Sequence, residues 1–192
     1  MSINFKEPKT FNECLERLKA GCQKLSDECD YSSDYSIFNT GATEEQLKRI
    51  ESHFNVKLCE SYRVFMKFSN GAKIMENSAK IYSTEMFGVD DPMVPDGYYT
   101  IGEVIGDGER IAISKEDGEP YSIYNGRINY WDFGFQMKEL LKDCEDLIEE
   151  HEKELIQASK DPETLKREKE ECTSYWRKLI EKKKKERSDE ND

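Results

Sequence analysis

The hydrophobic period of this chain changes twice, and the middle stretch between the two changes limits its fold more than any other feature. Up to Gly71 apolar residues recur at helical spacing. From residue 72 they fall into short alternating runs: AKIM (72–75), KIYS (80–83), YYTIGEVI (98–105), RIAIS (110–114), YSIYN (121–125) and INYWDF (128–133). Alternation over so few residues is the pattern of a half-buried strand. Gly106-Asp107-Gly108, Asp117-Gly118 and Asn125-Gly126 separate the later runs, and such turns accept the positive φ angles of tight hairpins. Two of these connections are too short for the crossover helix that parallel pairing requires. The expected architecture is α+β: a mainly antiparallel sheet of about five or six strands with flanking helices, plus a C-terminal helical hairpin.

The helices announce their own ends. Thr10 with Glu13 has the spacing of a capping box, and Phe11, Cys14, Leu15, Leu18, Cys22 and Leu25 follow on one face, which predicts a helix over 10–26. The Ser-, Asp- and Tyr-rich stretch 27–42 reads as a connecting loop. Thr43 and Gln46 repeat the capping signal; Leu47, Ile50 and Phe54 then mark a second buried stripe, ended by Asn55, a residue that tolerates the left-handed conformation of a helix terminus. Leu58 re-enters the core, and a third helix from Glu60 carries Tyr62, Phe65, Met66 and Ser69 before stopping at Asn70-Gly71. From Gln136 the helical period returns through Met137, Leu140, Leu141, Cys144, Leu147, Ile148 and Leu155. It restarts at Asp161-Pro162 with Leu165, Cys172, Trp176 and Leu179 at near-heptad spacing, closing on Lys182 to Lys185, which complement the helix dipole. The natural division is a domain over 1–145 and a helical extension over 146–192.

Charge narrows the partners. The 192 residues carry a net −12, which disfavours direct contact with a nucleic-acid backbone and suits a cationic partner. Ten acids lie between Thr84 and Gly126 against Arg110 and Lys115 alone, a net −8 in that segment. It is either a sheet edge kept acidic for solubility or a surface that faces a partner. The start MSINFKEPKT has no apolar run behind a basic end, and no stretch approaches the roughly 20 apolar residues of a membrane span, so no membrane is expected and the cytoplasm is the expected compartment. Six cysteines without a C-x-x-C pair fit free thiols in a reducing compartment.

Catalytic constellations are missing from the pattern. His53 and His151 are the two histidines, little material for a triad. Gly102, Gly106 and Gly108 lie between strands and read as turn glycines, not as a phosphate cradle. Asp90-Asp91 with Asp96 lacks the spacing of a calcium loop. Trp131-Asp132 reads as a packing aromatic followed by a turn or cap residue. No catalytic, cofactor or metal residue is assigned, and the chain is expected not to be an enzyme.

The order Thr43-Glu44-Glu45-Gln46-Leu47, Ile50-Glu51, Phe54-Asn55-Val56, Leu58, Tyr62, Phe65 and Asn70-Gly71 resembles the opening signature of the SUKH superfamily, which includes bacterial immunity proteins and fungal regulators of cell-wall synthesis. Ile101-Gly102, Gly106-Asp107-Gly108, Ile111-Ala112-Ile113 and Tyr130-Trp131-Asp132 resemble its strand region. The likeness covers roughly residues 40–145; it departs at Cys59, where the family usually has Pro, and in the added C-terminal helices. It implies a bacterial immunity protein that binds and neutralises a cognate polymorphic or contact-dependent toxin, with a basic nuclease domain the expected partner. The contact candidates are Asp90, Asp91, Asp96, Asp107, Glu109, Glu116, Asp117 and Glu119, with Tyr98, Tyr99 and Tyr121 as aromatic anchors. The alternative is a regulatory or scaffold module in which the C-terminal helices dock another protein or form a homo-oligomer.

Overall fold

A computed structural model describes residues 5–29, 35–75, 78–104, 106, 108–159, 164 and 167. Two threonines start the first helices by different means. The Thr10 hydroxyl accepts from the Glu13 amide at 3.1 Å, but the Glu13 carboxylate reaches past Thr10 to the Lys9 amide at 2.8 Å, and helix α1 (Phe11–Glu28) follows. Thr43 makes the reciprocal box: its hydroxyl accepts from the Gln46 amide at 3.2 Å and its amide donates to the Gln46 side chain at 2.8 Å. Between these helices lies strand β1 (Ile37–Phe38), inside the stretch expected to be loop. Two residues are too few to display an alternating pattern.

Helix α2 (Glu44–Phe54) ends on Asn55 in the left-handed conformation, with φ 49°. Helix α3 (Glu60–Phe68) starts at Cys59, whose side chain makes no capping bond. Glu51 ties the two helices together, its Oε1 accepting from the Leu58 amide at 3.1 Å and from Arg63 Nη1 at 2.9 Å. After α3, Asn70 brackets Thr84 with two side-chain bonds of 2.7 and 3.1 Å. Gly71 follows at φ 81°, where a Cβ would stand 2.8 Å from the Ser83 nitrogen, so the turn admits no side chain.

The six alternating runs become β2 (Ala72–Ile74), β3 (Ala79–Ile81), β4 (Tyr98–Val104), β5 (Arg110–Ser114), β6 (Pro120–Tyr124) and β7 (Arg127–Tyr130). Among the described residues the sheet has seven strands in sequential order, every neighbour antiparallel. That is one more than the expected range, and the addition is β1. Helix α4 (Phe133–Ser159) is the last element among the described residues. Asp132 caps it, Oδ1 accepting from the Phe135 amide at 2.8 Å, while Trp131 beside it is buried. The second helix expected from Asp161, with Leu165, Cys172, Trp176, Leu179 and Lys182 to Lys185, lies outside the described residues.

The chain divides into two compact units, Met1–Ile148 and Glu149–Asp192. In the first, one face of the sheet is core. Ile74, Ile101, Ile111 and Ile113 are fully buried with Leu15 and Leu18 of α1, Tyr62, Phe65 and Met66 of α3, and Met137 and Leu141 of α4. The opposite face follows from register, because paired residues share a side. One row on it crosses all seven strands: Ile37, Lys73, Lys80, Glu103, Arg110, Ile123 and Ile128. In the second unit, Leu155 and Ile156 are exposed.

Tyr62 brings a polar atom into this core at a cost. It is fully buried and its hydroxyl has no hydrogen-bond partner among the described residues; burial drives the phenol far above its usual range. Deleting an unsatisfied buried hydroxyl removes a desolvation penalty without removing a bond. Tyr62→Phe is therefore expected to be neutral or to stabilise by about 1 kcal/mol in urea denaturation. A loss of similar size would reveal a partner for that oxygen.

Candidate functional site

The acidic segment divides into three places. The first is the long connection between β3 and β4. Asp90 and Asp96 are exposed there, near the exposed Met86, Val89 and Met93. Asp91 is drawn inward: its Oδ2 lies 2.5 Å from Arg110 Nε, its Oδ1 accepts from the Met93 amide at 2.9 Å, and its side chain is 13 % exposed. Arg110 also lies 3.7 Å from Glu103, which meets Lys80 at 3.4 Å. Asp91 thus anchors the connection to β5 on the face opposite the core.

Burial pushes the Asp91 carboxyl up, but the Arg110 guanidinium and the Met93 amide outweigh it and hold the group below the usual carboxylate range. A carboxyl depressed in the folded state adds stability above its unfolded pKa and loses it as acid protonates it. Asp91→Asn is accordingly expected to destabilise at neutral pH and to cost progressively less below about pH 4. Urea denaturation of both proteins across pH checks this; a pH-independent difference would mean that the pair does not act through charge.

The second place is the β4–β5 hairpin. Glu109 is half-buried and its carbonyl accepts from the Val104 amide at 3.0 Å. Asp107 lies outside the described residues.

The third is the β5–β6 turn, where the candidates are held most firmly. Ser114 Oγ accepts from the amides of Glu116 and Asp117 at 3.2 and 3.4 Å. Asp117 in turn accepts from the Glu119 amide at 3.0 Å and from the Tyr121 hydroxyl at 2.8 Å. The Asp117 bond pushes the Tyr121 phenol up to about 12, so it stays a donor at neutral pH. The turn is pressed against the α2–α3 linker: Cys59 N donates to Gly118 O at 3.2 Å, and a Cβ on Gly118 would lie 1.7 Å from Lys57 O.

Between this turn and the helices lies a cleft of about 640 Å³, with Glu44, Glu51, Glu60, Asp117 and Glu119 among its walls alongside Lys48, Lys57 and Arg63. Arg63 is internally neutralised by Glu44 at 2.5 Å and Glu51 at 2.9 Å.

The tyrosine candidates separate, because adjacent strand residues face opposite ways. Tyr98 stands on the face away from the core, its ring 5.6 Å from Tyr121, which lies 5.8 Å from Tyr130. Tyr99 points to the helices; its hydroxyl donates to Phe54 O at 2.9 Å and its ring packs 4.7 Å from that of Phe54. The structure therefore gathers Tyr98, Asp117, Glu119 and Tyr121, and adds residues that the sequence reading did not select: Tyr130 and Phe135, both more than half exposed, with Asp132 and Glu60. Glu60 and Asp132 line a second recess of about 560 Å³ together with Phe135.

Among the described residues no group of three or more His, Cys, Asp or Glu is arranged to hold a metal ion, and no helix is long and apolar enough to cross a membrane. Cys14, Cys22, Cys59 and Cys144 carry free thiols. Cys14, Cys22 and Cys144 are buried, and burial pushes the Cys14 thiol up to about 11.

The family described as SMI1 / KNR4 family (SUKH-1) matches residues 41–150. No curated protein matches the chain. The matched span starts just before α2 and ends within α4, and so contains the sheet from β2 onward and all three acidic places.

Proposed function

Since this chain belongs to the SMI1 / KNR4 family (SUKH-1), whose members are associated with toxin immunity and cell-wall regulation, we propose that it is an immunity protein that binds and neutralises a cognate toxin. It acts in the bacterial cytoplasm, without catalysis, on a polymorphic or contact-dependent toxin with a basic nuclease domain. The observation that carries this reading is the β5–β6 turn, where the Asp117 carboxylate is fixed by the Glu119 amide and the Tyr121 hydroxyl, with Glu119 next to it and the Tyr98, Tyr121 and Tyr130 rings alongside. A pre-ordered acidic and aromatic surface loses little entropy on binding and steers a cationic partner.

The test is co-purification with the C-terminal domain of a large secreted protein encoded beside this one, followed by association kinetics at several salt concentrations. Asp117→Lys with Glu119→Lys is expected to slow association about tenfold or more and to flatten its salt dependence. Unchanged rates and salt dependence would remove this surface from the interaction. A regulatory or scaffold module is the second reading, favoured by the exposed Leu155 and Ile156 on α4. Deleting residues 146–192 separates the two: an immunity domain still protects against toxin, whereas a scaffold loses its partner.

A further inference from the structure

β7 ends the sheet and all four of its residues are exposed. Its register says where its backbone points. The Asn125-Gly126 turn, at φ 48° and 74°, joins β6 to β7 with Tyr124 opposite Arg127. In an antiparallel pair, hydrogen-bonded and non-hydrogen-bonded positions alternate. Trp131 N donates to Pro120 O at 2.9 Å, which makes that position a bonded one. Counting back, Asn129 is bonded to β6, while Ile128 and Tyr130 are not. Their N–H and C=O groups face away from the sheet, as a template for another strand.

The surroundings select the occupant. Tyr130 is 59 % exposed and Ile128 41 %, both on the face away from the core, and Phe135 is 55 % exposed. Trp131 N pairs with Pro120 O, so Glu119 and Asp132, the next residues along either strand, flank the end of this edge, and after burial both push the Tyr130 phenol up. A second copy of the chain would bring another net −12 to the same edge. An extended cationic segment meets complementary charge there, and exposed rings against which Lys or Arg stems pack.

We propose that β7 is an open docking edge that takes an extended, Lys/Arg-bearing segment of the partner protein as an added strand. The outward N–H and C=O groups of Ile128 and Tyr130 supply the main-chain bonds, and Glu119 and Asp132 receive the cations. Main-chain pairing supplies affinity, and the side chains beside alternate positions supply selectivity. This rests on the proposed protein-binding role and gives it a geometry.

The probe is a blocked peptide of alternating Lys and Val, titrated into the full chain beside the same peptide N-methylated along one edge. Amide exchange at Ile128 and Tyr130 is expected to slow about tenfold or more with the first peptide, and the methylated one to bind about tenfold more weakly. Ile128→Pro removes an N–H that the sheet does not use, a position where proline is tolerated; it is expected to abolish the difference between the peptides. Equal binding of both peptides, protection confined to residues 85–96, or a dimer in sedimentation with these amides already protected would each overturn the proposal. A toxin that binds while Ile128 and Tyr130 still exchange freely sinks the edge alone. Peptide pairing without toxin binding retains the edge and removes the immunity role.

Discussion

Gly118→Ala is expected to lower stability by roughly 3 kcal/mol or more, among the larger effects of a single methyl group. Two costs combine. Gly118 sits at φ 73°, a conformation that strains any residue with a Cβ by about 1 kcal/mol or more. The added methyl would also lie 1.7 Å from the Lys57 carbonyl oxygen, a backbone atom that cannot swing aside. To relieve the clash the β5–β6 turn must lift from the α2–α3 linker, straining the Cys59 N to Gly118 O bond. For a chain of this length about 2–4 °C in Tm accompanies each kcal/mol, so calorimetry is expected to show a fall of roughly 6–12 °C. Gly126→Ala is the control. Its φ is 74° but nothing stands within 4 Å of the added carbon, so it carries only the strain, about 1 kcal/mol. Equal losses in the two variants would mean that the contact with Lys57 contributes nothing.

That comparison shows which parts of the fold were legible beforehand. Both glycines lie in dipeptides that mark turns, and the turns are where the spacing puts them. What makes Gly118 different is Lys57, sixty-one positions away in sequence, and no local pattern contains it. The same divide runs through the site. Tyr98 and Tyr99 had to face opposite sides of a strand, but which side is core depends on the helices above it. Asp91 carries the same local signal as Asp90, and only the approach of Arg110 turns it into an anchor. Tyr130, Asp132, Phe135 and Glu60 come from four elements or linkers that folding alone assembles. The strand β1 went unread because pairing with β2, not its own pattern, makes it a strand.

The family signature has a physical content of its own. Thr43 and Gln46 close a capping box, Glu51 holds the Leu58 amide and Arg63, and Asn70 and Gly71 fold the chain back against Thr84 and Ser83. Each of these residues builds the scaffold. A resemblance carried by them speaks strongly for the fold and says little about the surface that meets a partner.

Phe133→Ala is expected to cost about 4 kcal/mol, within the range for a buried aromatic reduced to alanine. Phe133 is 1 % exposed, with its ring centroid 5.1 Å from Phe65, 5.3 Å from Trp131 and 5.5 Å from Tyr62. Each edge-on pair adds to the area term, and the three are not independent, so their sum overstates the loss. Phe133→Leu keeps most of the volume and is expected to lose less than about 2 kcal/mol. The residue opens α4 directly after Asp132 and two positions before Phe135, so these rings also fix the side chains that flank the β7 edge. Phe135→Ala then separates fold from surface. Its ring is more than half exposed, so urea denaturation is expected to move by no more than about 0.5 kcal/mol, while affinity for a cationic strand falls. If Phe135→Ala destabilises as much as Phe133→Ala, the exposed ring belongs to the core and the docking edge loses its aromatic flank.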